Sequence, residues 1–254
     1  MYICNSLNFT RMRIKILWTF LLGLIFAFQA HGQSWRKSPF EIYAGFGTAH
    51  YFGDIGGSDS ENTWYGIKDL DVFRSRPGIL TGIRYFQSDY LGISGSLALG
   101  WLSGSDEGGP NEGRGYVFNT VVLEPAARIE FFPVRDLMVL SGVNRRGMVR
   151  NYGTFSAYIF GGAGAAVYYV RPNANLEARQ ERDNIDHGFV TMVIPAGLGI
   201  KVGISNTMDI GLELGGRYAL NDYLDGFTSP TATANDIYYL TTVQFIYRLE
   251  DLGL

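Results

Sequence analysis

An all-β fold, an eight-stranded antiparallel transmembrane β-barrel of the outer-membrane kind, is predicted by three observations. Segments of alternating apolar and small or charged residues recur along the chain. An export-type leader precedes them. The charged residues fall consistently on the small-residue side of the alternation, which leaves the other side continuously apolar. An extended chain with one apolar side crosses a bilayer only within a closed barrel, where every backbone group is paired. The segment YLGISGSLALGWL at 90–102 shows the pattern: Leu91, Ile93, Leu97, Leu99 and Trp101 share one face, and Gly92, Ser94, Ser96, Ala98 and Gly100 the other.

Residues 1–32 read as a signal peptide. Arg11, Arg13 and Lys15 precede the apolar run Ile16–Phe28, and Ala30-His31-Gly32 places small residues where a signal peptidase cuts, so cleavage is expected before Gln33. The run is shorter than the roughly 20 residues of a spanning helix. Translation from Met12 would leave the same leader. Cys4, the only cysteine, lies ahead of the run, so the exported part has no thiol for disulfides or metal ligation. Removal of the three basic leader residues leaves 18 basic against 24 acidic, which excludes a basic nucleic-acid footprint. Residues 33–254 read as one barrel domain.

Eight strands are expected near 39–53, 77–87, 90–102, 115–131, 155–170, 188–203, 207–219 and 235–249, and the period of two assigns their faces. Ile79, Thr81, Ile83 and Tyr85 look outward and Arg84 inward. Val121, Leu123, Ala127 and Ile129 oppose Glu124, Arg128 and Glu130. Val190, Met192, Ile194, Leu198 and Ile200 oppose Lys201, and Met208, Ile210, Leu212 and Leu214 oppose Glu213 and Arg217; Arg248 is available from the last strand. A basic residue facing lipid at mid-membrane costs about 2–4 kcal/mol, so this partition is physically required. Inside a narrow barrel these eight charges must pair, either as a structural plug or as an ion path.

The connections alternate in length. Gln87-Ser88-Asp89 and Ser205-Asn206 are tight turns, whereas 54–76, 103–114, 171–187 and 220–234 are long and polar, so the chain ends belong on the periplasmic side. Residues 132–154 break the rule with a long excursion on the short-turn side. It carries Arg135, Arg145, Arg146 and Arg150 against Asp136 alone, beside Leu137, Met138, Val139 and Leu140. Two readings stand: a segment that docks a periplasmic protein or lipid head groups, or a loop folded in to cap the barrel.

Chemistry finds little support. His50 and His187, near the outer rim, are the only histidines after the leader, with Ser58, Ser60 and Asp54 close to His50, in no diagnostic spacing for a lipid-modifying enzyme. Asp59-Ser60-Glu61 and Asp106-Glu107 with Glu112 do not fit a calcium loop. Gly161-Gly162-Ala163-Gly164 sits inside a strand without a following helix or lysine and reads as close backbone packing rather than a phosphate cradle. Tyr168-Tyr169, Tyr238-Tyr239, Trp64 and Trp101 suit interfacial girdles. No catalytic residue, metal or cofactor is expected; a narrow channel or solute-binding barrel is the alternative to a scaffold.

Four blocks carry a likeness: Tyr51-Phe52-Gly53-Asp54, then Tyr158-Ile159-Phe160-Gly161-Gly162-Ala163-Gly164, then Ile194 to Lys201 (IPAGLGIK), then Leu212 to Arg217 (LELGGR) running on to Asp222-Tyr223-Leu224-Asp225. In these the chain resembles the small outer-membrane barrels of Bacteroidota that include PorG of the type IX secretion system. The resemblance implies an outer-membrane barrel without catalytic residues, set in lipid and lipopolysaccharide, with periplasmic secretion-system subunits as partners.

Overall fold

The computed structural model describes residues 39–53, 55, 75–107, 112–143, 149–183, 188–205, 207–221, 223–227 and 235–249, with the main chain alone for 138–143 and 149–152. The leader, 1–32, lies outside the described residues. Eight strands form the wall: β1 Phe40–Phe52, β2 Arg76–Phe86, β3 Leu91–Ser105, β4 Val117–Val143, β5 Val149–Pro172, β6 Val190–Gly203, β7 Met208–Ala219 and β8 Ile237–Leu249. Each pairs antiparallel with its sequence neighbour, and β1 pairs with β8 from Phe40↔Leu249 to Phe52↔Ile237, closing an eight-stranded barrel with no free edge along that length. This is the fold that the alternation predicts.

The period of two sorts the side chains as the barrel requires. Phe46, Ile129, Met192 and Phe245 stand 59–63% exposed on the outer wall, while Arg84, Glu130, Lys201 and Glu213, on the opposite parity, are at most 1% exposed. Thr81 is a polar residue on the outer wall, and its hydroxyl donates to the Tyr43 carbonyl at 3.0 Å, so this donor is not left facing hydrocarbon. On β4 the apolar band runs ten residue steps, from Val121 to Phe131. At about 3.3 Å per step and a tilt near 40°, that is roughly the 25 Å apolar height of a membrane barrel.

Tight turns join β2 to β3 and β6 to β7, closed by Gln87 N–H to Leu91 O at 3.0 Å and Ile204 N–H to Met208 O at 2.9 Å. The start of β1 and the end of β8 share this end of the barrel. Two expectations are corrected. Residues 132–143 and 149–154 are strand and not loop, because β4 and β5 continue as a two-stranded ribbon beyond the wall; 144–148 lie outside the described residues. β4 leaves β3 at its last pair, Leu91↔Phe131, and β5 joins β6 only from Phe155↔Val202. Register shifts between Phe131 and Val134, Val134 and Leu137, Met138 and Leu140, and Leu140 and Gly142 break the alternation by which a strand is recognised.

The stretch 171–187, expected as a long polar loop, contains helix α1, Ala174–Asp183. Asn173 caps it, its Oδ1 accepting from Leu176 N–H at 3.1 Å, and Arg179 pairs with Asp183 one turn on. Leu176 is its single buried residue, so the helix has no apolar stripe to give it away.

Candidate functional site

Inward-facing residues fill the lumen in two layers of opposite character. Toward the long loops it is apolar: Leu80, Leu102, Phe118, Val122, Ala166, Val193 and Leu240 pack with Ile55 and with Leu176 of α1. The segment Tyr223–Phe227 closes this end. Thr120 Oγ1 donates to Leu224 O at 2.7 Å, Gln180 Nε2 donates to Gly226 O at 2.7 Å, and Gly226 takes a φ of 75° that suits glycine. Leu224 N–H donates to Asp236 Oδ2 at 2.8 Å, while Tyr51 donates its hydroxyl to Asp236 Oδ1. The Tyr51 and Leu224 blocks singled out in the sequence therefore meet in one cap.

Toward the short turns the lumen is ionic. Arg84 Nη1 donates to Glu41 Oε2 at 2.7 Å and Arg84 Nε to Glu130. Lys201 Nζ joins Glu41 at 2.5 Å to Asp209 at 3.3 Å. Arg128 bridges Glu213 at 2.8 Å and Glu130 at 3.0 Å, and Tyr158 and Ser94 donate to Glu213 and Glu130 at 2.8 and 2.5 Å. Aromatic rings flank the cations: Arg84 lies 4.9 Å from the Tyr158 centroid and Arg128 4.4 Å from that of Phe160. One step higher, Arg217 stands 3.5 Å from Glu124, which accepts the Tyr238 hydroxyl at 2.5 Å.

The barrel thus brings together all eight charges that parity assigned to the interior: Arg84, Glu124, Arg128, Glu130, Lys201, Glu213, Arg217 and Arg248. It adds Glu41 and Asp209, so five carboxylates (Glu41, Glu124, Glu130, Asp209, Glu213) face five cations (Arg84, Arg128, Lys201, Arg217, Arg248). Glu41 between Phe40 and Ile42, and Asp209 between Met208 and Ile210, sit on the inward parity, so the same rule finds them. A buried ion with several partners is tolerated; the same ion with one partner removed costs about 3–5 kcal/mol.

The ribbon residues read as docking candidates are placed differently. Arg135 is not offered to solvent: its guanidinium lies 3.6 Å from the Phe86 ring centroid, Nη1 donates to Ser88 O at 3.3 Å, and Asp136 stands 3.6 Å away. It packs against the β2–β3 turn at the root of the ribbon. Arg150 lies on β5, of which only the main chain is described there; Arg145 and Arg146 lie outside the described residues.

His50 faces outward at the long-loop end, with Thr48 Oγ1 3.2 Å from Nε2 and Ser75 Oγ 3.4 and 3.5 Å from Nδ1 and Nε2. A hydroxyl nearly equidistant from both nitrogens is not aligned on either lone pair, as a serine–histidine proton transfer needs. His187, Ser58, Ser60, Asp54, Asp59 and Glu61 lie outside the described residues. Asp106 accepts from Arg114 Nε and Nη2, both at 3.1 Å, and among the described residues no three His, Cys, Asp or Glu side chains are grouped to hold a metal ion. Gly162 is a packing glycine: a Cβ there would fall 2.2 Å from the Ala127 carbonyl oxygen on β4.

Among solved structures the chain is similar to Ail, the attachment invasion locus protein of Yersinia pestis, at 12% identity and a TM-score of 0.39, covering 83% of this chain and 97% of that one. It is similar to Neisserial surface protein A at 8% identity and a TM-score of 0.42, covering 84% and 98%. It is similar to OprG of Pseudomonas aeruginosa at 10% identity and a TM-score of 0.40, covering 84% and 96%. Similarities this slight carry nothing about role. No curated protein sequence matches the chain. The family model described as a domain of unknown function, DUF6089, matches residues 103–245, more than half of the 254 residues, and the chain belongs to that family.

Proposed function

We propose that the chain is a non-catalytic anchor or scaffold of the bacterial outer membrane, exported by removal of residues 1–32, that holds a protein-docking ribbon in the periplasm. The observation that carries this reading is the β4–β5 ribbon. It continues twelve residues past the wall on β4, from Phe132 to Val143, on the side where the other two connections are tight. Short turns face the periplasm in barrels of this type, which orients the ribbon inward. A filled lumen, with five carboxylates facing five cations in its ionic layer, favours an anchor over a channel.

Arg145, Arg146 and Arg150 give the far part of the ribbon a basic character that suits an acidic protein surface. The resemblance of the sequence to PorG-like barrels points to periplasmic subunits of type IX protein secretion as that surface, with lipid and lipopolysaccharide around the wall. Photo-cross-linkers at positions 145, 146 and 150 test this in intact cells. The reading expects discrete cross-linked periplasmic proteins, and those captured from position 150 should disappear, with a drop in protein export, when Arg145 and Arg146 are replaced by glutamate. Unchanged partners and unchanged export would rule it out.

A further inference from the structure

Beyond Phe132, whose N–H still donates to Tyr90 O at 2.8 Å, β4 pairs only with β5, and before Phe155 β5 pairs only with β4. A two-stranded ribbon is marginal by itself, and this one is broken by register shifts, so hydrogen bonds alone would let it swing about its root. Two successive residues at the root, Arg135 and Asp136, make contacts back to the barrel.

Asp136 lies inside the register shift between Val134 and Leu137, with φ at 49°, a left-handed conformation that aspartate tolerates better than most residues. This conformation turns its carboxylate back over the mouth. Oδ1 accepts from Arg248 Nη2 at 2.9 Å, and the Asp136 N–H donates to Ser156 Oγ at 2.9 Å. Arg248 is held from below by Asp209, at 3.0 Å from Nε and 2.9 Å from Nη2, and Asp209 reaches Glu41 and Arg84 through Lys201. Arg135 fastens the opposite side, against Phe86 and Ser88. The root is thus tied to β8 by the Asp136 carboxylate, to Ser156 of β5 by the Asp136 N–H, and to β2 and its turn by the Arg135 side chain.

We infer that Asp136 and Arg248 form a latch that fixes the ribbon at one angle to the barrel, making it a rigid arm anchored in the lumen's ion-pair chain. The inference rests on the docking reading for the arm's purpose and on the geometry above for its rigidity. Both residues are positioning residues: they act through where the ribbon points.

The test is a distance distribution. Nitroxide labels are placed on the ribbon and on the β6–β7 turn through Ser141→Cys and Ser205→Cys, in the mature barrel refolded into lipid nanodiscs, and read by pulsed electron paramagnetic resonance. A single narrow distance is expected for the otherwise native barrel. Asp136→Asn, which keeps the left-handed preference and removes the charge, should broaden it at least about twofold, and Arg248→Gln should do the same. Arg248→Lys, which restores a cation, should recover much of the narrow peak. If Arg248→Gln fails to give the heat-modifiable migration of a folded barrel, Asp136→Asn decides alone, because its carboxylate sits at the mouth with 28% exposure.

A broad distribution in the native barrel, or a narrow one in Asp136→Asn, overturns the latch. Cross-linking at 145, 146 and 150 reads the docking proposal separately. A narrow native peak lost in the variants, without cross-linked partners, keeps the latch and removes its assigned purpose; cross-links with a broad native peak do the reverse.

Discussion

Arg84 is fully buried, has two carboxylate partners in Glu41 and Glu130, and stands among the rings of Tyr43, Phe132 and Tyr158. Replacing it with methionine leaves those carboxylates facing each other with one fewer cation, so Arg84→Met should lower the unfolding free energy by about 3–5 kcal/mol in a denaturant titration in detergent. Adding Glu130→Gln should recover part of that loss, because the two residues belong to one network. An unchanged midpoint for Arg84→Met would contradict the plug. Parity alone marked Arg84 as inward, since Ile83 and Tyr85 cannot be sent inside without sending the guanidinium into lipid. It could not mark Tyr43, Tyr158 and Tyr238 as network members, because a tyrosine suits either face of a strand, and only the closed barrel puts their hydroxyls at Arg128, Glu213 and Glu124.

The ribbon and α1 contribute differently from the wall strands. Excising 139–153 and joining 138 to 154 by Asn-Gly, a two-residue hairpin turn, removes only ribbon beyond the latch. The shortened barrel should fold with the stability of the parent in the same denaturant titration, and it should lose every ribbon cross-link. A barrel that no longer folds would show the ribbon to be part of the wall's stability. On α1, Asn173→Ala should cost about 1 kcal/mol locally, seen as faster amide exchange over 174–183 with the strand amides unaffected. Wall strands were legible to within a few residues because each has one face in lipid. The ribbon was not, since its register shifts erase the period of two, and α1 was not, since a helix resting on Leu176 alone leaves no apolar period. The Asn173 cap and the Asn-Leu-Glu-Ala-Arg-Gln run were signals of α1 that propensity would have caught.

Across the whole molecule, the lumen is closed twice, by the apolar layer and the hydrogen-bonded Tyr223–Phe227 cap under the long loops and by paired charges toward the short turns. Planar bilayers holding the refolded barrel should show no steady conductance, and Glu213→Gln or Arg217→Gln should lower stability without opening a current. A defined single-channel step in the native barrel would make the charges an ion path. The closure and its polarity were readable from the chain; the segregation of the interior into two layers was not. At Val122 both neighbours, Val121 and Leu123, are apolar, and at Leu80 and Leu102 the inward residue is as apolar as the wall beside it, so no charge marks these positions as interior and their packing emerges only from the register. The candidate interior was correspondingly read as its ionic half.

The central claim is that hydrocarbon wets the outer wall while the charged side chains neutralise one another inside. Nuclear magnetic resonance of the barrel in nanodiscs carrying lipid spin-labelled near the acyl terminus tests it directly. The account predicts strong broadening at Ile42, Leu97, Ile129, Ile194 and Leu212 and little at Lys201, Leu80 and Val122. Broadening of the second set with the first set sharp would contradict it.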